Sequence, residues 1–342
     1  MKKIIIILCL IALVCGVAVA ACGYVVFYKP NTKNNQPYQL VIMQNTDTKE
    51  IIKILEQENI IQNAQSFQIA AQLLRFNRAK SGKYMIAAVE NNLSLIRLLR
   101  KGQHYPVTFT FNNIRTQAQF VEKVGNRFLF SPETLDSLLN DTVYMAQFGV
   151  NSYTKLTIFI PNSYELYYDI TADEFIQKMY AEYRKFWTPQ RLEQAKNINL
   201  SPSEVITLAS IVEEENFNNS EKAIIAGLYI NRLKKNMLLQ ADPTVKYAAG
   251  DFTLKRILSK HTRIQSPYNT YIHLGLPPAP IRIPDISSID SVLQYRHHNY
   301  IYMCAKEDFS GSHNFAVTLA EHNRNAARYH QALDLKMIEE RR

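Results

Sequence analysis

Beyond its first 27 residues the 342-residue chain has a single cysteine, Cys304; the other three, Cys9, Cys15 and Cys22, lie in an N-terminal apolar run. No intrachain disulfide and no two-cysteine metal motif can form in that remainder, so its stability must come from core packing. The histidines late in the chain, His297, His298, His313, His322 and His330, lack the H-E-x-x-H spacing of a zinc hydrolase. No Lys/Arg block with interleaved aromatics is present, which argues against nucleic acid as a partner. With 10 glycines, 13 prolines, no internal repeat and no low-complexity tract, collagen-like and disordered classes are excluded. The longest absence is of charge: Ile4 to Phe27 holds none in 24 consecutive positions.

What is present starts with that run. At about 1.5 Å per residue its helix spans roughly 36 Å, enough for a ~30 Å hydrocarbon core with some tilt. A cleaved signal peptide has a shorter apolar region of ~7–15 residues. Val19-Ala20-Ala21-Cys22 resembles a lipoprotein processing site, yet the apolar run continues through Gly23-Tyr24-Val25-Val26-Phe27. An uncleaved transmembrane helix over 4–27 is therefore the preferred reading. Lys2 and Lys3 mark residues 1–3 as a cytoplasmic tip and send the rest to the extracytoplasmic side. Removing those two lysines from the formal +9 leaves +7 on the exported part. That charge suits an anionic partner or a simply solvated basic surface.

Residues 28–37 are polar with two prolines and read as a linker. Gln39 to Met43 is strand-like, Asp47 with Glu50 opens a helix, and Ser66 is placed to cap a second. Lys83 to Val89 predicts another strand, followed by a helix over Leu93 to Arg100 that Gly102 can end. A compact β-α-α-β unit with a trailing helix fits 38–104 and contains no catalytic constellation. From 105 to 342 the chain is helix-rich with proline-bearing links, so the fold class is α+β.

The most informative stretch is Ser201-Pro202-Ser203-Glu204-Val205-Ile206-Thr207-Leu208-Ala209-Ser210-Ile211-Val212-Glu213-Glu214-Glu215. Ser201 with Glu204 forms a capping box and Pro202 suits the first helical position. At about 100° per residue, Glu215 falls about 20° from Leu208 and 40° from Ile211, ending an apolar stripe, whereas Glu214 and Glu213 lie about 100° and 160° off it. Glu215 is the carboxylate expected at the edge of the core. Desolvation, the neighbouring carboxylates and the negative helix end would all raise its pKa. A glutamic acid kept protonated near neutral pH can serve as a general acid, although an acidic helix end in solvent gives the same local pattern.

Further on come Leu238-Leu239-Gln240-Ala241-Asp242-Pro243-Thr244-Val245, Ser266-Pro267-Tyr268-Asn269-Thr270-Tyr271, Gly275-Leu276-Pro277-Pro278 and Gly311-Ser312-His313-Asn314-Phe315. Proline loops bearing Tyr, Asn, Gln and His suit a sugar site, where aromatic rings cover apolar sugar faces and amides bond hydroxyls. Together with Ala209–Glu215, Ile230-Asn231-Arg232-Leu233 and Asn162-Ser163-Tyr164 after Pro161, these segments resemble the YceG-like endolytic murein transglycosylases over nearly the whole chain. Departures from that family's pattern are Glu214 for a Lys, Asn216 for Thr or Ser, Ala241 for a Thr, and Asn112-Asn113 for a Glu-Gly pair.

The resemblance implies a membrane anchor, a LysM-like subdomain over 38–104 and a lysozyme/transglycosylase-like catalytic domain over 105–342. It implies an enzyme of the inner membrane, single-pass, with its catalytic part outside the cytoplasm. The second glutamate of E-x-E is the catalytic one in that family, which maps to Glu215, the residue already singled out on the helical wheel. Gln240, Asp242, Tyr268, Asn269, Tyr271 and His313 would hold the saccharide, Asp242 and His313 having structural roles as alternatives. The implied partners are peptidoglycan glycan strands, the membrane and peptidoglycan synthases; no cofactor or metal is called for. Two other functions fit the residues: a two-carboxylate hydrolase using Glu215, Asp242 and water, and a non-catalytic wall-binding assembly module.

Overall fold

The structure is a computed structural model that describes residues 2–33, 36–43, 46–102, 104–216, 219–254 and 256–339. Met1 of the expected cytoplasmic tip and residues 34–35 of the expected linker lie outside the described residues. The chain forms two compact units, Met1–Phe109 with Arg127–Phe130 and Tyr164–Thr171, and Thr110–Asn126 with Ser131–Ser163 and Ala172–Arg342.

The first unit begins with helix α1 (Lys2–Phe27), none of whose residues is buried; among the described residues it is the one helix long and apolar enough to cross a membrane. Strand β1 (Tyr38–Ile42), helices α2 (Thr48–Gln57) and α3 (Ala64–Leu73), strand β2 (Gly82–Ile86) and helix α4 (Asn92–Lys101) follow. β1 and β2 pair antiparallel, Leu40 opposite Tyr84. Alternate strand residues Leu40, Ile42, Tyr84 and Ile86 join Ile51, Leu55, Phe67, Leu95 and Leu99 in one core. Asp47 caps α2 and Gly102, at φ +70°, ends α4 in the left-handed conformation open to glycine. α3 is capped by Asn63, whose side chain accepts from the Ser66 N–H, so Ser66 lies inside the helix and does not cap it.

Residues 28–33 are not a free linker. Asn31 and Thr32 are buried, and their backbone N–H groups donate to Glu90 O. The Asn31 amide bonds both Asn63 O and Asn92 Oδ1, and Asn92 Nδ2 reaches Val26 O in the last turn of α1 at 2.8 Å. A polar segment behaves as a tether only when water satisfies its polar groups, and here protein does. The first unit also extends past residue 104, because Tyr105 N–H donates to Lys83 O and His104 meets Asp169, which accepts from Ser81 Oγ.

Strand β3 (Val107–Thr110) pairs with the later β4 (Ser163–Leu166); between them lie helices α5 (Gln117–Gly125), α6 (Pro132–Asn140) and α7 (Thr142–Ala146). Then come α8 (Ala172–Phe186), α9 (Pro189–Asn197), α10 (Pro202–Glu215), α11 (Asn219–Lys234), α12 (Asp242–Ala249) and α13 (Ile286–Leu293), the hairpin strands β5 (Tyr302–Ala305) and β6 (His313–Ala316), and α14 (Leu319–Glu339). A mixed, helix-rich α+β architecture results. α10 runs through the middle of the second unit: every residue from Val205 to Glu213 is buried, and it packs on α11, α12 and α13. Its start has the full capping box, with Glu204 N–H on Ser201 Oγ and Ser201 N–H on Glu204 Oε2. α11 comes so near the segment after α13 that a Cβ at Gly227 would stand 2.4 Å from Arg296 O.

Candidate active site

The last residue of α10 opens into a cleft of about 270 Å³ in the second unit, which Glu215 lines together with Gln240, Asp242, Tyr271 and His313. Five of the seven residues expected from sequence are thus brought together. Tyr268 and Asn269 are not. Asn269 is fully buried, its amide donating to Thr262 O and Ile264 O and its oxygen accepting from Tyr271 N–H. It therefore shapes the loop that carries Tyr271. Tyr268 packs its ring on Tyr247, centroids 4.7 Å apart.

Each of the five is held by backbone geometry some way off in sequence. Gln240 sits at φ +50°, an uncommon conformation for a residue with a Cβ, fixed by its N–H on Thr270 O and by Ala241 N–H on Thr270 Oγ1. That turn delivers Asp242 to the start of α12, where its Oδ1 accepts from the Tyr271 hydroxyl at 2.5 Å. His313 enters from the β5–β6 hairpin, opposite Ala305, and its Nδ1 lies 3.0 Å from Oε2 of the buried Glu221. Asn216, where the family pattern has Thr or Ser, donates from its longer amide to the same Glu221 oxygen at 2.7 Å. The end of α10 is thereby tied to the start of α11.

Glu215 Oε1 accepts from the Tyr229 hydroxyl on α11. Its carboxyl is pushed up to about 7, first by burial and then by the charge of Asp242, while the Tyr229 hydrogen bond, Lys246 and Arg232 pull the other way. Near neutral pH the group is therefore about half protonated. The expected repulsion from Glu213 and Glu214 is absent from these influences, for a visible reason. Arg282, itself buried, bridges Glu213 at 3.0 Å and Glu214 at 2.7 Å, and Arg115 bonds both oxygens of Glu214. Glu213 also accepts from Asp285 N–H and Ser288 Oγ. Those two carboxylates brace α10, and Asp242 from another helix supplies the like charge.

Sequence reasoning did not pick out Tyr229 or Arg232 as site residues. Tyr229 lies within an apolar helix and reads there as a core aromatic. Arg232 belongs to the Ile230-Asn231-Arg232-Leu233 segment, and its guanidinium donates to Ile301 O, Leu238 O, Leu239 O and Gln240 Oε1 at the cleft wall. Such an arginine is a fixed cation beside a protonatable glutamate, an arrangement that can steady the carboxylate after it gives up a proton.

The YceG-like family model matches residues 40–328, which includes all of these groups. The chain belongs to the YceG-like family. An endolytic murein transglycosylase of Bacillus subtilis is 28% identical over 304 residues, covering 84% of this chain and 83% of that one. One from Streptococcus pneumoniae (serotype 2) is 26% identical over 332 residues, 88% of this chain; the chain spans 60% of the length of that relative. The crystal structure of a YceG-like protein from Listeria monocytogenes superposes with a TM-score of 0.55 at 24% identity, covering 84% of this chain and 98% of that one. That likeness carries the YceG-like fold.

Proposed function

We propose that this chain is a membrane-anchored endolytic peptidoglycan lytic transglycosylase, with Glu215 as its acid. The observation that carries the reading is a glutamate at the end of a buried helix, held near half protonation at neutral pH in a polar cleft. Relatives named endolytic murein transglycosylase support the substrate class. Glu215 protonates the oxygen linking N-acetylmuramic acid to N-acetylglucosamine, and positive charge develops on the muramyl ring. The Glu215 carboxylate then takes the proton of the muramyl 6-hydroxyl as that oxygen closes on the anomeric carbon, which gives a 1,6-anhydro end, restores the acid and consumes no water. Gln240, Asp242, Tyr271 and His313 hold the saccharide from the walls of the cleft, and Arg232 with the Tyr229 hydroxyl stabilises the carboxylate once formed.

The apolar α1 acts as a single-pass inner-membrane anchor, its N-terminus cytoplasmic because Lys2 and Lys3 precede it. The β1-α2-α3-β2 arrangement is read as LysM-like, and the catalytic part works on strands emerging beside peptidoglycan synthases, ending their growth. The test uses the full chain in detergent and its Glu215→Gln variant with purified glycan strands, the new ends being weighed by mass spectrometry. Anhydro ends made by the parent and not by the variant are expected. Reducing ends, heavier by one water, would instead identify the hydrolase that pairs Glu215 with Asp242. Equal cutting by both proteins would remove Glu215 from the chemistry.

A further inference from the structure

The apolar run of α1 ends at Phe27, so with α1 as the anchor the residues beside its last turns stand at the boundary between hydrocarbon and water. Gly23, Val26 and Phe27 are the half-buried residues of α1; they share one side of its final turns, and the helix packs on α3 and α4. The exposed Tyr24 and Tyr28 beside them are of the aromatic type that favours that boundary. Asn92 of α4 ties the arrangement together: its Nδ2 reaches Val26 O at 2.8 Å and Ser66 Oγ of α3 at 3.1 Å. Two helices of the first unit are thus brought to the end of the apolar helix.

At about 100° per residue, Leu73 falls about 20° from Ser66 and Ile69 about 60° from it, so both lie on the side of α3 that Ser66 turns towards α1. Ile69 is 45% exposed and Leu73 65%. Basic groups flank them. Arg75 is exposed two residues beyond Leu73, and the Arg100 guanidinium donates to Leu74 O and stands 5.9 Å from the centre of the Phe76 ring. Between residues 59 and 105 there are seven lysines and arginines and one acid, Glu90, whereas Asp47, Glu50, Glu56 and Glu58 lie on and around α2. An apolar stripe rimmed by guanidinium groups is the pattern of a helix lying in an anionic lipid interface. A saccharide would call for exposed rings, and here Phe67 and Phe76 are buried. Two aliphatic side chains also fall far short of the ~800 Å² per partner of a stable protein interface.

We propose that the first unit rests on an anionic bilayer through this face of α3, with Ile69 and Leu73 in the interface and Arg75 and Arg100 on lipid phosphates. The inference builds on the reading of α1 as the anchor and goes beyond it. A single helix leaves open which side of the unit meets the membrane, and a second contact decides it. Each arginine near an anionic surface favours contact by about fivefold, so the pair contributes roughly 25-fold in anionic over neutral lipid.

The test places the full chain, one copy per nanodisc, in phosphatidylcholine alone or mixed with phosphatidylglycerol, with bromine on the acyl chains. Three variants carry tryptophan reporters over the Trp187 background read from the parent: Leu73→Trp, Tyr24→Trp on α1, and Met85→Trp on the face of β2 turned away from the core. Each site is exposed, so the new ring displaces no core residue. Bromine should quench Tyr24→Trp in both lipids and Met85→Trp in neither. Leu73→Trp is expected to be quenched nearly as strongly as Tyr24→Trp in the anionic discs, and to fall towards the Met85→Trp level when Arg75→Gln and Arg100→Gln are added. Quenching of Tyr24→Trp with Leu73→Trp no more affected than Met85→Trp would overturn the proposal and leave the anchor standing. A blue-shifted Leu73→Trp emission without quenching would overturn it too, since protein or glycan would then cover the face. Unquenched Tyr24→Trp removes the anchor reading and the proposal with it.

Discussion

Replacing Glu215 by glutamine should stabilise the protein at pH 8 and leave its stability almost unchanged at pH 4. The carboxyl rises from its ordinary 4.5 to about 7 in the folded protein, chiefly through burial. In the unfolded chain it returns to the ordinary value. Between these two pH values the folded state holds a proton that the unfolded state has released, so stability falls as pH rises through that window. Each pKa unit corresponds to about 1.4 kcal/mol, which makes the loss about 3 kcal/mol by pH 8. Glutamine is neutral throughout and its oxygen can still accept from the Tyr229 hydroxyl, so the variant escapes the loss without giving up that bond. For a unit of this size the difference corresponds to roughly 6–12 °C in Tm. Trp187 is the sole tryptophan of the chain and is buried in the core that surrounds α10, so its fluorescence reports melting of this unit. Melts of both proteins from pH 4 to 8.5 give the difference directly. A difference that stays flat across that range, or one that favours the parent at pH 8, would refute the assignment of burial as the cause.

The buried ion network and the α1 clamp give two further expectations. Arg282→Met leaves Glu213, 2% exposed, without its cation and should cost about 3–5 kcal/mol in the same melts, with part recovered when Glu213→Gln is added. Asn92→Ala removes the bonds to Val26 O and Asn31 and should raise amide hydrogen exchange at residues 26–33, at a cost of about 1–3 kcal/mol and with α10 unaffected.

Local patterns made the start of α10 legible, because a cap, a proline and a glutamate act within one turn. They also singled out Glu215, but by an argument that assumed one buried stripe. α10 is buried on every side, so Glu213, about 160° from that stripe on the wheel, is enclosed as well. What permits this is Arg282, which lies far along the chain and is brought in by the fold. A pairing across such a separation leaves no periodicity to read. The same limit explains the pKa: adjacency in sequence pointed to Glu213 and Glu214, whereas the like charge that acts is Asp242, delivered by the left-handed turn at Gln240. Asn269 resembled a sugar contact because a loop amide can serve either purpose; burial decides which, and Asn269 spends its amide on its own loop.

Residues 28–33 carry the same lesson into the membrane end of the molecule. Composition made them a tether, since Asn, Thr, Lys and Pro dominate. Yet the Asn31 side chain pairs like a peptide group, giving to Asn63 O and taking from Asn63 N–H. The Thr32 hydroxyl gives to Ala88 O and takes from Glu90 N–H in the same way. Side chains that imitate backbone stitch a short irregular segment into a folded unit as firmly as a strand would. With Val26 and Phe27 packed on the core of that unit, the last turn of the apolar α1 is joined to the first unit by packing and hydrogen bonds and not by a flexible leash.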